Sequence, residues 1–233
     1  MLQSQVNNPD KKVYEVLKRT VDVFLSLGLL IVLSPGLILV ALVLTLIHRG
    51  NPIYTQKRAL TLESKVFSLF KFKTIDFSLE PISTTSEVFK KKNIYTSVNT
   101  FCAWLRKTGF DELPQLLNVL LGDMSFVGPR PLSLSDLKII KNEYPEFHEE
   151  RKQIKSKPGI SGLWQVKGDR DLGIKNLMEL ENEYESSRSF TMDMRIVFKT
   201  LPVMFFAMHS DAYIGDDFAT AKKKSKSKKL MIS

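Results

Sequence analysis

From Val23 to Ile47 the chain carries no charged side chain, and its only hydroxyls are Ser26, Ser34 and Thr45. A helix needs about 20 apolar residues to cross the hydrocarbon core of a bilayer, and this run exceeds that. Soluble core helices seldom continue so far without a charge. The run is also too long for a cleavable signal peptide, and no small-residue cleavage site follows it. The chain is therefore expected to meet a membrane near its N-terminus.

Two features argue against a plain crossing. Ser34-Pro35-Gly36 falls near the middle of the run, where proline removes a backbone donor and crowds the preceding turn. Positive charge flanks both ends, with Lys11, Lys12, Lys18 and Arg19 before and Arg49, Lys57 and Arg58 after. Basic residues favour the cytoplasmic side, and here both ends ask for it. A helix broken at Ser34 and Pro35 that enters and leaves by one face satisfies both. The reading is a re-entrant membrane helix hairpin.

The formal net charge is +9, and six lysines lie between Lys222 and Lys229. Two thirds of the excess charge thus sits in the tail, read as a solvated, disordered end. No aromatic residues interleave with those lysines, so no nucleic acid partner is expected. The single cysteine, Cys102, cannot form an internal disulfide, which fits a reducing compartment. It is read as a core residue. His48, His148 and His209 have no ligand spacing, which argues against a zinc site or a histidine triad.

After the apolar run, Pro52–Thr55 and Val66–Phe72 alternate as short strands, with Lys71 and Lys73 pointing away from the apolar positions. Asp76 to Ser97 is polar and read as a loop-rich connection. Val98, Phe101, Trp104 and Leu105 recur at helical spacing up to Thr108-Gly109. Ser135 to Ile154 reads as a charged helix broken at Pro145. Leu163 to Val166 reads as strand-like, Lys175 to Arg188 as helix. The apolar Met194–Met208, with Pro202 inside it, reads as a helix in the membrane interface or the core.

Between these lies LRKTGFDELPQLLNVLLGDMSFVGPRP, Leu105 to Pro131. Its acid pair, Asp111 and Glu112, stands between Arg106-Lys107 and Arg130, at the start of a short apolar helix. Asp111 is placed as the N-cap of that helix, with Pro114 in its first turn. Acids there complement the helix dipole, and that alone would account for them. Backbone donors and the positive dipole end also suit phosphate oxygens. Two adjacent acids flanked by cations could hold a metal and a phosphorylated substrate together. Pro129 and Pro131 stiffen the backbone around Arg130, whose planar fork suits phosphate or a structural carboxylate.

Several of these segments, in this order, resemble the bacterial sugar transferase family of small monotopic polyprenyl-phosphate phosphoglycosyl transferases. Lys18-Arg19-Thr20-Val21-Asp22 is similar to the basic start of the family's re-entrant helix, and Ser34-Pro35 to its helix-breaking pair. Phe70-Lys71-Phe72-Lys73-Thr74 resembles its YKFRT segment. Asp111-Glu112-Leu113-Pro114-Gln115-Leu116, Gly122-Asp123-Met124-Ser125 and Gly128-Pro129-Arg130-Pro131 resemble its central signature. Lys157-Pro158-Gly159-Ile160-Ser161-Gly162 is similar to its RPGITG turn.

The resemblance implies an α+β, mostly helical fold, with a re-entrant membrane helix hairpin and a small cytosolic catalytic domain of short strands and interfacial helices. The expected boundaries are an arm over 1–17, the membrane helix over 18–49, the catalytic domain over 50–210 and the lysine tail over 211–233. It implies transfer of a sugar-1-phosphate from a UDP-sugar to polyprenyl (undecaprenyl) phosphate, releasing UMP, as the first membrane step of exopolysaccharide, O-antigen or glycan assembly. Asp111 is implied as the nucleophile that forms a phosphosugar intermediate, with Glu112 holding Mg²⁺. Arg106, Lys71 and Arg130 are the candidates for the remaining phosphate charge. The implied location is the cytoplasmic (inner) membrane, with the catalytic domain on its cytosolic face. A homo-oligomer is left open.

Some positions depart from the family pattern. Leu60 stands where a glycine usually follows the Gln-x-Arg segment, and Lys73 and Lys157 stand for arginines, losing bidentate geometry. Gly168-Asp169-Arg170 displaces an arginine by one position, and Glu181 replaces a shorter acid. None touches Asp111 or Glu112, so they bear on sugar or nucleotide preference. The competing readings are a catalytically idle membrane-bound scaffold, and a nucleotide-sugar hydrolase of similar fold.

Overall fold

The computed structural model describes residues 9–75, 99–168 and 173–205, with side chains over 12–75, 99–168 and 173–200. The polar connection expected from Asp76 to Ser97, the Asp169-Arg170 displacement, residues 1–8 of the N-terminal arm and the lysine tail lie outside the described residues, and the rest of the arm is the start of the first helix. What is described is a mostly helical α+β chain with one long apolar helix and two small sheets.

Helix α1 spans Pro9–His48, a length of about 60 Å were it straight. The expected interruption at Ser34 and Pro35 is not present as a gap, because helical backbone continues through both. The physical reason is visible at Ile31. Proline at position 35 cannot donate to the Ile31 carbonyl one turn back. The Ser34 hydroxyl donates to that same carbonyl at 2.8 Å. A hydroxyl thus replaces the missing amide, which is how apolar-environment helices tolerate proline.

Much of α1 is bare. Phe24, Ile31, Val32, Ile38, Leu39, Leu42 and Leu46 each expose more than half of their surface. Yet its two ends are both anchored to the rest of the fold. Near the start, Lys18 Nζ donates to Asp193 at 2.6 Å and Tyr14 Oη to the same carboxylate at 2.9 Å. Arg19 donates to the carbonyls of Val119 (2.7 Å) and Leu120 (3.0 Å), and Asp22 accepts from the Phe126 amide at 3.1 Å. Near the end, Leu44 is fully buried against Phe72, Cys102 and Leu105, flanked by Leu37, Val40, Ala41 and Ile47.

The hairpin that follows pairs β1 (Ile53–Ala59) antiparallel with β2 (Phe67–Phe72), Ile53 opposite Phe72 and Arg58 opposite Phe67. Phe67, Leu69 and Phe72 turn inward. Helix α2 (Thr100–Thr108) starts on Asn99, whose side chain accepts from the Phe101 amide. It stops at Gly109, at φ 73°, a left-handed conformation that favours glycine. The end at Gly109 follows the sequence expectation, while Val98, read as part of this helix, lies outside the described residues. Cys102 is buried on α2 as expected, and burial pushes its thiol up.

Helix α3 (Gln115–Leu121) ends at Gly122, also left-handed at φ 85°. Strand β3 (Ser125–Val127) pairs in parallel with β5 (Gly159–Ser161), and β4 (Leu132–Ser133) extends the first sheet beyond β1. The charged helix divides at Pro145 into α4 (Leu134–Glu143) and α5 (Pro145–Lys152), as read. A capping box of Ser133 and Asp136 starts α4, an arrangement that contributes about 1 kcal/mol.

Another assignment is overturned. Leu163–Val166 is not a strand but the core of α6 (Leu163–Lys167). A short apolar run cannot be told from a buried helical turn by periodicity. Here the strand ends at Ser161, and Gly168 closes the turn by donating its amide to Trp164 O at 2.8 Å. Helices α7 (Gly173–Ser187) and α8 (Phe190–Phe205) complete the described chain. The main core joins Leu137, Ile140, Leu163, Leu177, Met178, Tyr184 and Ile196. α8 buries Ile196 while Phe198 stays 67 % exposed, so it has one face in the core and one outward.

Candidate active site

The acid pair lies in a 3₁₀ turn, Phe110–Glu112, between α2 and α3. Asp111 is therefore not the N-cap of α3; Pro114 occupies that position and no side-chain cap forms. The left-handed Gly109 sends the chain straight into a tight turn. Glu112 and Leu113 donate their amides to Gly109 O (3.0 Å) and Phe110 O (3.3 Å). Leu116 and Leu117 likewise donate to Leu113 O and Pro114 O. These four amides are consumed within the turn and the start of α3.

Asp111 is buried, with 6 % of its surface exposed. Glu112 faces β2 and forms an ion pair with Lys71 Nζ. Lys71 thus does not simply point into solvent. It turns toward the acid pair, at the edge of a cleft of about 280 Å³ whose walls include Arg58, Lys71, Glu112, Gln115, Arg130 and Gln165. Of the expected residues the cleft unites Glu112, Lys71 and Arg130. Asp111 lies beside it without lining it, and Arg106, whose Nη1 donates to Thr74 Oγ1 at 3.3 Å, does not line it either.

Arg58, Gln115 and Gln165 line this cleft although the sequence reading gave them no place in the site and counted Arg58 only as a flanking charge. Each stood within a segment already singled out, Gln56-Lys57-Arg58, Asp111–Leu116 and Trp164-Gln165-Val166. What the segments do not reveal is that strands and turns far apart in sequence bring these side chains together. Three cations and one carboxylate make the wall net positive, suited to an anion. Among the described residues the buried Gln165 Oε1 has no hydrogen-bond partner, which makes it an acceptor suited to a hydroxyl or imide donor.

The far wall is held from behind. Glu181 Oε1 accepts the Arg130 amide at 2.9 Å, and Arg151 Nη2 donates to the Arg130 carbonyl at 2.6 Å. Arg151 Nε also donates to Leu60 O at 2.7 Å, and Arg151 and Glu181 are ion-paired. Burial pushes the Glu181 carboxyl up while the Arg151 guanidinium draws it down. The substitution at Lys157 bears on none of this. Lys157 Nζ donates to Gly122 O at 2.8 Å, closing the end of α3 beside Arg19. Burial and the Arg19 charge together push its pKa down.

The floor between the two proline-rich turns is main chain. A Cβ on Gly128 would sit 2.1 Å from Lys157 O, one on Gly159 2.1 Å from Gly128 N, and one on Gly162 2.1 Å from Gly128 O. Gly128 N donates to Ser161 O and Gly159 N to Pro129 O, each at 2.9 Å.

Among the described residues no group of three or more His, Cys, Asp or Glu side chains is placed to hold a metal. The described residues form no all-protein cage. The adjacent carboxylates of Asp111 and Glu112 do fit Mg²⁺, which commonly takes one or two carboxylates and completes its shell with substrate phosphates and water.

The sequence model of the bacterial sugar transferase family matches residues 13–207. The exopolysaccharide production protein PSS of Rhizobium leguminosarum bv. phaseoli is 36% identical over 194 residues, covering 80% of this chain and 94% of that protein. The undecaprenyl-phosphate galactose phosphotransferase of Salmonella typhimurium is 33% identical over 218 residues, 88% of this chain. The undecaprenyl-phosphate glucose phosphotransferase of Komagataeibacter xylinus is 30% identical over 200 residues, 83% of this chain. This chain spans only 44% and 36% of the length of those two phosphotransferases.

Proposed function

The chain belongs to the bacterial sugar transferase family, and from that premise we propose that it transfers a sugar-1-phosphate from a UDP-sugar to a polyprenyl phosphate, releasing UMP. The product is a polyprenyl-diphosphate-sugar, the lipid-linked start of an exopolysaccharide or related glycan. The observation that carries this reading is the cationic cleft of Arg58, Lys71 and Arg130 set against Glu112, with Asp111 next to it in the same turn, in a chain that also has a helix long and apolar enough to cross a membrane.

In this reading a carboxylate oxygen of Asp111 attacks the phosphorus that bears the sugar. The bond from that phosphorus to the bridging oxygen breaks, and UMP leaves with the electron pair. A phosphate oxygen of the lipid then attacks the same phosphorus, and the aspartyl oxygen–phosphorus bond breaks to restore the carboxylate. Dividing one displacement into two in this way is the use of a covalent nucleophile. Lys71 and Arg130, with Arg58 beside them, offset the charge of the diphosphate; Arg106 in α2, which does not line the cleft, is the remaining candidate for the same charge. Glu112, with Asp111 beside it, would hold Mg²⁺, which supplies Lewis-acid stabilisation of phosphoryl oxygens when bound. Gln165 offers its open acceptor to a sugar hydroxyl or to the uracil imide.

For the membrane we propose a re-entrant arrangement bent at Pro35, with the catalytic domain on the cytosolic face. It is supported by the anchoring of both ends of α1 to one domain and by basic residues on both flanks. The donor of the Ile31 carbonyl comes from Ser34, so bending at Pro35 need not expose an unpaired group to lipid.

The test is UMP release by purified protein given a panel of UDP-sugars, polyprenyl phosphate and Mg²⁺. Lipid-dependent UMP release abolished by chelation is the expected result. UMP release without the lipid acceptor would identify a hydrolase instead. No release with any UDP-sugar would leave a membrane-bound scaffold.

A further inference from the structure

Arg151 and Glu181 are 1 % and 2 % exposed, and neither lines the cleft. A buried ion pair is a poor device for stability, since well-packed apolar side chains of similar volume commonly serve as well or better. What this pair does instead is grip backbone. Glu181 takes the amide of Arg130 and Arg151 gives to its carbonyl, so the residue is held on both sides of its Cα. Through Nε, Arg151 also holds the carbonyl of Leu60, just past the end of β1, which carries Arg58. Arg58 Nη1 in turn donates to Pro131 O at 3.4 Å.

We propose that the Arg151–Glu181 pair is a positioning device that fixes the two arginines of the cleft, Arg130 and Arg58, at the spacing needed to bind a diphosphate. The function of those arginines rests on the transferase reading above; the grip itself is geometric. A guanidinium suits the task because its planar fork reaches three acceptors in fixed directions. Lysine in its place could keep the charge but not the three directions. The bound group is a nucleoside diphosphate, the moiety shared by every donor of this class.

The experiment pairs two readouts on the full-length protein in detergent or nanodiscs: UDP affinity by calorimetry with Mg²⁺, and UMP release. The double variant Arg151→Met/Glu181→Leu fills the same space without the grip. It leaves the Arg130 amide and carbonyl and the Leu60 carbonyl without these partners, so its thermal midpoint is expected to fall while the protein stays folded at the assay temperature. UDP binding is expected to weaken and kcat/KM to drop by about 100-fold, the scale of a 1 Å misplacement. Arg151→Lys is expected to recover little of either. In an Arg130→Ala background the double variant is expected to add less than its full loss, because one of the two arginines it positions is already gone. Unchanged UDP affinity in a folded double variant overturns the proposal, as does a full additive loss in the Arg130→Ala background. If the double variant does not fold, Glu181→Gln replaces it; it keeps size and an acceptor, with a smaller loss expected and the same two overturning results. UDP binding without turnover in the parent defeats the transferase reading while the positioning proposal is still read from affinity. A parent that binds no UDP defeats both.

Discussion

Lys71 on β2 is ion-paired with Glu112 in the 3₁₀ turn, so a cation suited to phosphate already touches the carboxylate proposed to hold a metal. The two roles compete for one carboxylate. Lys71→Ala is expected to lower kcat/KM for the UDP-sugar by roughly 100-fold, the scale of removing one charge-stabilising donor. It is also expected to lower the Mg²⁺ concentration for half-maximal activity, because Glu112 is released. A magnesium titration of UMP release reads both; an unchanged half-saturation point would show that Lys71 and the metal do not share Glu112.

Asp111→Asn keeps the size of a buried side chain and removes its nucleophilic oxygen. Turnover is expected to fall by at least roughly 10³-fold, with the thermal midpoint little changed. Mass spectrometry of the parent protein quenched with UDP-sugar alone should find sugar phosphate on the peptide containing Asp111. Near-normal turnover in the variant would end the assignment.

The bend proposed at Pro35 is tested by labelling Val13→Cys and Gly50→Cys variants from each side of a sealed vesicle. Cys102 is buried with a raised pKa, so it is expected to stay silent as the native background. Both introduced thiols should label from the same side. Pro35→Ala restores the amide to Ile31 and should shift part of the population to labelling from opposite sides. Opposite-side labelling in the parent would exclude the re-entrant arrangement.

Tyr184 is buried and donates to Asp193 at 2.8 Å, and burial with that neighbouring carboxylate raises its pKa far above the usual tyrosine range. The folded value exceeds the unfolded one of about 10. Its contribution is therefore complete below about pH 10 and is lost as pH rises from there toward the folded value. Unfolding midpoints should fall above about pH 10, and Tyr184→Phe should make that fall shallower, as measured by denaturant unfolding across pH.

Much of the fold could be read where one residue type dictates one backbone outcome. Gly109 and Gly122 end α2 and α3, Pro145 divides α4 from α5, and alternation marks β1 and β2. The reading failed where local pattern is degenerate, as at Leu163–Val166, or where a capping acid and a 3₁₀ acid look alike, as at Asp111. Glu112, Lys71 and Arg130 were legible as a cluster only through their motifs. Arg151 was not legible: in Glu149-Glu150-Arg151-Lys152 it looks like one more solvated charge, and only the packing of α5 against α7 shows it buried.

The contact of Gly128 with Gly159 and Gly162 limits how this protein can diversify. Where two turns meet without room for a methyl group, no side-chain alphabet is available, and the surface there is fixed by the peptide itself. Under the transferase reading, change of donor preference, in nature or by engineering, is expected at cleft side chains such as Gln165 and Gln115 rather than at these glycines. A library randomised over those cleft positions should sample new specificities, whereas one randomised over the glycines should yield mostly misfolded chains.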